Sequence, residues 1–230
     1  GASVLDWPGD TAVSHLGGWM PRFRSDLKVR ACSRPLLEWA VRQEVQLRPN
    51  VQLRAQVQVG DVDVRAPSVV VDGELLTADL LVDASGRGSQ AAKWLAAQGF
   101  GAPDVDEVTS ETAYATRTIR LDPELDVDWR CLYVMPQPGT NRRSGLIYPI
   151  EQGLQVVNLV AYDGVQPPTD AAAFDTFARS LAVPDLADAL DSAEVLSPIL
   201  RYRAAYHRFV RFDRMAAWPE RFVVLGDALC

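Results

Sequence analysis

Leu80-Leu81-Val82-Asp83-Ala84-Ser85-Gly86-Arg87-Gly88-Ser89 decides the reading of this chain, because it runs from an apolar strand into a glycine-rich turn. A short apolar strand here, over 78–82, is of the kind that lies buried on both faces in a parallel sheet. Phe222-Val223-Val224-Leu225-Gly226-Asp227-Ala228 repeats the form much later in the sequence. In open α/β sheets ligands bind beyond the carboxyl ends of the strands, where glycine lets the backbone come close. An Asp at such a tip can accept hydrogen bonds from ribose or ribityl hydroxyls. Either segment alone is also the form of a plain turn.

Working outward, Ser33 caps a helix with Pro35 in its first turn, and Leu36, Leu37, Ala40, Val41 and Val45 follow at helical spacing until Pro49-Asn50. From Val51 the pattern changes to alternation: Val51, Leu53, Ala55, Val57 and Val59 alternate with polar residues, and Asp72-Gly73 marks a hairpin turn. Beyond the glycine turn, 90–98 reads as a helix. Four strands follow, over 112–121, 129–135, 144–150 and 154–161, and strands in succession predict an antiparallel sheet distinct from the α/β part. Residues 170–181 and 185–190 read as helices, and 221–225 as a return strand. The opening 1–28 carries turn signals and large apolar residues without periodicity, so the true N-terminus is expected upstream.

The 230 residues are 48% hydrophobic and 23% charged, the balance of an ordinary globular protein. No apolar run approaches the ~20 residues of a membrane-spanning helix, and residues 1–10 show no secretory signal. A net charge of −7 argues against a nucleic-acid partner. The local exception is Arg201, Arg203, His207, Arg208, Arg211 and Arg214, which read as a solvated edge or as a contact for cofactor phosphate or substrate carboxylate. Cys32, Cys131 and Cys230 are far apart and odd in number, which argues against zinc or a disulfide framework and fits a reducing cytoplasm. Two histidines, His15 and His207, exclude multi-histidine metal sites, and Gly86-Arg87-Gly88-Ser89 is neither G-x-S-x-G nor a P-loop.

Taken together and in order, the stretches "SRPLLEWAVR", "ADLLVDASGRGS" and "RFVVLGDALC" resemble three flavin-contacting segments of the p-hydroxybenzoate hydroxylase-like FAD-dependent monooxygenases. The stretch "GLIYPIEQGLQVVNLVAYDG" with the helix "AAAFDTFARSL" is similar to a subgroup of FAD monooxygenases and epoxidases. The resemblance implies an α/β fold: part of a glutathione-reductase-type FAD/NAD(P)-binding domain with an inserted, mostly antiparallel substrate sheet. It places 30–100 and 219–230 in the FAD domain and 101–218 in the substrate domain, with 1–29 packing across both. It implies that Arg34 reaches the ribityl–phosphate region of FAD, where a guanidinium forks to phosphate; a surface helix charge is the plain alternative. Val57 matches a strand position whose backbone meets the adenine, Gly86 belongs to the first turn, and Asp227 matches the residue that hydrogen-bonds the ribityl chain, with Gly226 and Ala228 leaving room. In the inserted sheet Tyr133 and Tyr148, with Tyr114, Tyr162, Met135 and Trp129, become candidate substrate lining, or simple sheet core.

Two departures qualify it. Aromatic hydroxylases of the family have Asp-Gly where this chain has Ser85-Gly86, so a role there in handling the nicotinamide cofactor is in doubt; "DASG" is the form of halogenase, epoxidase and prenyl reductase relatives. No G-x-G-x-x-G turn for the pyrophosphate is present, so an internal piece of a longer enzyme is expected, inactive by itself. The activity implied is that of a monooxygenase using NAD(P)H and O2 to hydroxylate or epoxidise an apolar organic substrate. The alternatives are a flavin-dependent reductase or a halogenase, the latter lowered by the lack of a Trp-x-Trp pair, or an inert fragment whose pocket binds a lipophilic molecule. No catalytic side chain is named, and the oligomeric state stays open.

Overall fold

Ser33 caps its helix as its place before Pro35 predicts, its hydroxyl accepting from the Leu36 amide at 3.2 Å. The computed structural model describes the backbone of residues 1–230 and the side chains of all but Ser110, Ala204 and Ala205. In chain order the elements are β1 (Ser3–Asp6), the single turn α1 (Trp7–Asp10), β2 (Thr11–His15), β3 (Gly18–Trp19), β4 (Lys28–Ala31), α2 (Arg34–Gln46), β5 (Val59–Asp63), β6 (Ser68–Val71), β7 (Glu74–Thr77), β8 (Leu81–Asp83), α3 (Ala91–Ala97) and β9 (Asp104–Arg120). Then come β10 (Cys131–Val134), β11 (Arg143–Pro149), β12 (Gln155–Ala161), α4 (Ala171–Arg179), α5 (Asp185–Asp191), β13 (Glu194–Val195), β14 (Leu200–Arg211) and β15 (Phe222–Val224). The chain forms two compact units, Gly1–Arg48 with Ser110–Ala205, and Pro49–Thr109 with Tyr206–Cys230. These bounds differ from the division at 29/30, 100/101 and 218/219 that the sequence suggests. No helix among the described residues is long and apolar enough to cross a membrane.

In the first unit the four expected strands form consecutive antiparallel neighbours, in the order β9-β12-β11-β10. β2 adds to β10 in parallel, Thr11 opposite Cys131, which extends the sheet with residues whose sequence shows no periodicity. Side chains alternate across the pleat. Ala115, Leu132, Ile147, Val157 and Leu159 are buried together with Phe174 and Phe177 of α4 and Leu186 and Ala187 of α5, so one face of the sheet carries the helices. Gly145 shows how close they lie: a Cβ there would meet Leu186 Cδ1 at 2.5 Å and Leu181 Cδ1 at 2.6 Å. The opening residues are ordered by pairing of β1 with β4 and by Asp6, which accepts from the Ser25 amide at 3.0 Å and hydroxyl at 3.0 Å and pairs with Lys28 at 3.1 Å. Those side-chain bonds to backbone, rather than hydrophobic alternation, order strands only a few residues long.

The second unit holds the meander β5-β6-β7 and the parallel pair β8-β15, with α3. Val62, Val64, Ala91, Leu95, Phe222, Val224 and Ala228 form its core. Two expectations are corrected here. The alternation from Val51 does not make a strand before Val59: 51–58 is irregular, Gln56 has a φ of 57°, and Val57 therefore precedes β5 rather than lying in it. Val51 and Leu53 stay exposed because no strand pairs with this stretch; Gln58 N–H donates instead to Asp72 Oδ1 at 2.8 Å. Nor is β8 buried on both faces: Val82 is 44% exposed, since β8 pairs with β15 alone among the described residues.

Replacing Gly145 by Ala forces the leucines of α5 and its approach to move, and overpacking of this kind costs about 1–3 kcal/mol. Urea unfolding of Gly145→Ala is expected to show that loss; an unchanged midpoint contradicts the packing described. The Ser25 amide, and after it Lys28, hold the Asp6 carboxyl down at about 2, against an ordinary 3.8. A depressed carboxyl stabilises the fold fully above its unfolded value and loses that contribution as pH falls through the folded value. Asp6→Asn is therefore expected to flatten the stability change between pH 4 and 2, measured by denaturant midpoint against pH.

Candidate functional site

β8 and β15 run parallel, with Leu81 opposite Phe222, Val82 opposite Val223 and Asp83 opposite Val224. Their carboxyl ends therefore lie side by side, and both glycine turns picked out in the sequence leave from the same edge. The first turn is Gly86–Gly88, closed by Ser89 N–H donating to Gly86 O at 2.9 Å. The second is Gly226–Ala228, closed by Leu229 N–H donating to Gly226 O at 2.9 Å. Gly86 and Gly226 have φ values of 75° and 64°, the left-handed region open to glycine at little cost. The turns touch: a Cβ on Gly86 would lie 4.0 Å from Asp227 Cβ, and one on Gly226 would meet nothing within 4 Å. Asp227 is exposed while Ala228 is buried, which leaves a carboxylate directed away from the core at the joint edge of two open turns. Four of the sequence-derived residues, Gly86, Gly226, Asp227 and Ala228, are thus brought together.

Asp83, which ends β8, behaves differently from Asp227. It is 6% exposed, and its oxygens accept from Ser85 N–H at 2.9 Å, Ser85 Oγ at 2.6 Å and Ser89 Oγ at 2.6 Å. These bonds tie the carboxylate to its own turn. The sequence signal was there in the serines two and six residues on, since Asp side chains bond the backbone two residues ahead.

A cavity of about 480 Å³ lies next to this edge, walled by Val62, Val69, Leu81, Trp94 and Phe222, with Asp83, Ser85 and Gln90 among its polar lining. Its lining comes from the meander, from both strands of the β8–β15 pair, and from the first turn and α3. Val57 is half-buried in the irregular segment just before β5.

Arg34 belongs to the first unit, in the first turn of α2, where it is 87% exposed and donates Nε–H to Glu38 Oε1 at 2.6 Å. Part of the basic run is paired with carboxylates. In the second unit Arg211 bonds Asp213 at 2.7 Å and Asp106 at 3.1 Å, and Arg208 donates to Arg87 O at 2.9 Å. In the first unit Arg203 approaches Glu111 at 3.6 Å. No group of three His, Cys, Asp or Glu that could hold a metal exists among the described residues.

The first unit has its own candidate surface. Ala115, Leu132, Ile147 and Ala161 point to the helices, so by alternation Tyr114, Tyr133, Tyr148 and Tyr162 fall on the opposite face of the sheet. All four are half-buried. Burial raises the Tyr162 phenol, with Tyr133 and Tyr114 beside it and Ser144 and Tyr133 in hydrogen-bonding reach. Burial also raises Tyr148, near the thiols of Cys131 and Cys32. Cys131 itself is pushed up to about 11 by burial. Tyr133 and Tyr148 thus share a hydroxyl-bearing aromatic face, whereas Trp129 is buried with the helices' core. A raised phenol contributes stability that is complete below its unfolded value and lost as pH rises through the folded one. Absorbance titration near 295 nm should find Tyr162 ionising above the ordinary 10, and Tyr162→Phe should remove that late component; a single transition at 10 for all tyrosines contradicts the burial.

With the geometry in place, the chain can be set beside known proteins. No protein-family model matches it. It is similar to Protein Rv3254 of Mycobacterium tuberculosis, 27% identical over 233 residues, 95% of this chain and 48% of that protein. The chain thus spans about half the length of the curated relative it matches. Among solved structures it shares the fold of the flavin-dependent brominase Bmp2, with a TM-score of 0.68 at 16% identity over 100% of this chain and 56% of the other. It likewise resembles 2-methyl-3-hydroxypyridine-5-carboxylic acid oxygenase, in a Y270A mutant, with a TM-score of 0.69 at 16% identity over 96% of this chain and 57% of the other. PqsL of Pseudomonas aeruginosa, a probable FAD-dependent monooxygenase, aligns with a TM-score of 0.67 at 17% identity over 100% of this chain and 62% of the other. The fold is therefore the mixed α/β fold of these FAD-dependent monooxygenases and flavin-dependent halogenases, as the resemblance implied.

Proposed function

We propose that the chain is part of an FAD-dependent oxidoreductase and that the turns at Gly86–Gly88 and Gly226–Ala228 hold part of the flavin cofactor. The observation that carries this is the parallel pairing of β8 with β15, which delivers two open glycine turns and an exposed carboxylate to one sheet edge. That edge is where open α/β sheets bind ligands. The residues fit the group. Left-handed glycines without Cβ atoms let a cofactor lie against the backbone, and Asp227 can accept from ribityl hydroxyls, while buried Ala228 fills no space above the turn. Val57 would meet the adenine through its backbone, now from an irregular segment. The resemblance also gives Arg34, in the first unit, a reach to the ribityl–phosphate region.

Bound flavin would supply the redox and oxygen chemistry, with NAD(P)H as the reductant. The chain's own residues would bind, orient and exclude water. Tyr133 and Tyr148, on the sheet face away from the helices, are the proposed contacts of an organic substrate. A monooxygenase is the first reading. A halogenase is the alternative, because the fold is shared with a brominase as fully as with oxygenases. Free Cys32, Cys131 and Cys230 fit a reducing cytoplasm.

Flavin titration tests the proposal, by quenching of FAD fluorescence in the natural protein that carries this sequence. The protein should purify yellow, and Asp227→Ala should weaken FAD binding roughly tenfold to a hundredfold, the worth of a bond or two to a charged group at about 1.5–3 kcal/mol. A full-length protein without flavin affinity contradicts the reading.

A further inference from the structure

Asp83 is the one charged side chain in the buried class among the described residues, yet no Lys, Arg or His pairs with it. Its partners are serines. Taking a carboxylate out of water costs several kcal/mol unless hydrogen bonds replace the lost solvent, and an apolar residue in its place is often as stable or more so. Fold stability alone does not account for a carboxylate here. Its bonds show what it does. The side chain takes Ser85 N–H and Oγ–H and Ser89 Oγ–H, and Ser89 Oγ in turn accepts from Ala91 N–H at 3.1 Å, at the first residue of α3. The main-chain carbonyl of the same residue accepts from Leu225 N–H at 2.9 Å, and Leu225 leads straight into Gly226. One residue therefore sets the first glycine turn with its side chain and the approach to the second with its backbone.

We propose that Asp83 is a positioning residue, which holds the Gly86–Gly88 and Gly226–Ala228 turns in register with each other for the cofactor and touches no ligand itself. This rests on the flavin reading above. The carboxylate is needed because three donors converge on two oxygens from one side. Asn at this position would keep one acceptor for Ser85, and its amide could donate to Ser89 Oγ, whose second lone pair is free; Ala would keep nothing.

The test uses the full-length protein with three variants: Asp83→Ala, Asp83→Asn and, as a control for lost stability, Val64→Ala. Val64 is fully buried in the same unit but lines neither turn. FAD affinity is read by fluorescence titration, and amide hydrogen exchange is followed over 84–90 and 225–229. Asp83→Ala should weaken FAD about 30-fold, the range of hydrogen bonds to a charged group, with both segments losing protection together. Asp83→Asn should recover most of that, to within about fivefold of the parent. Val64→Ala should lower Tm while leaving FAD affinity within about twofold. The proposal is overturned if Asp83→Ala binds FAD like the parent, if Val64→Ala weakens it as much at equal loss of Tm, or if only 84–90 loses protection. Should Asp83→Ala fail to fold, the comparison of Asp83→Asn with Val64→Ala decides. If the parent itself takes up no flavin, the flavin reading fails, and exchange in the two segments still decides: joint loss supports the coupling, loss in 84–90 alone refutes it.

Discussion

Leu81–Asp83 and Phe222–Val224 lie far apart in the sequence, with β9 to β14 between them, and pair over only three residues. Everything proposed for the site depends on that short parallel ladder. Loop closure grows only slowly with length, by about 0.6 kcal/mol per doubling, so the long separation is a modest cost. The ladder is anchored by what lies under it: Phe222 and Val224 are buried with Leu95 and Ala91 of α3, and Trp218 Nε1–H donates to Phe222 O at 2.8 Å. Parallel pairing is also what gives the site its shape. An antiparallel pair would send the two glycine turns to opposite edges; a parallel pair sends them to the same one.

The first unit uses its sheet in another way. The helices α4 and α5 cover one face with Phe174, Phe177 and Leu186, and Gly145 admits them closely. The other face keeps four half-buried tyrosines and Ser144, and is the surface proposed for the organic substrate. The division of labour is common to ligand sites, which combine a mostly apolar wall with few polar groups.

Much of this was legible in the sequence, and the failures have physical causes. Helix α2 follows from Ser33 and Pro35, and the four strands β9–β12 from alternation, because caps and alternation are local signals. Gly86, Gly226 and Asp227 were picked out by the order of two segments, and the ladder does join them. The stretch 51–58 misled because alternation describes an amphipathic segment and not the partner strand that would make it one; without a partner, Val51 and Leu53 stay in solvent. β8 was read as buried on both faces from its apolar composition, which cannot report that its second edge is open. Asp83 looked like a ligand-facing tip residue, and only the fold shows that Ser85 and Ser89 turn it inward while Asp227 stays out. Arg34 could be placed on its helix but not in a site, since its neighbours come from side-chain geometry such as the bond to Glu38.

The decisive measurement is a crystal structure of the full-length protein grown with FAD. It should show flavin beyond the carboxyl ends of β8 and β15, with ribityl hydroxyls within about 3 Å of the Asp227 carboxylate and the backbone of Gly226 against the cofactor. Flavin bound elsewhere, with Asp227 left in solvent, would contradict the assignment of this edge as the cofactor site.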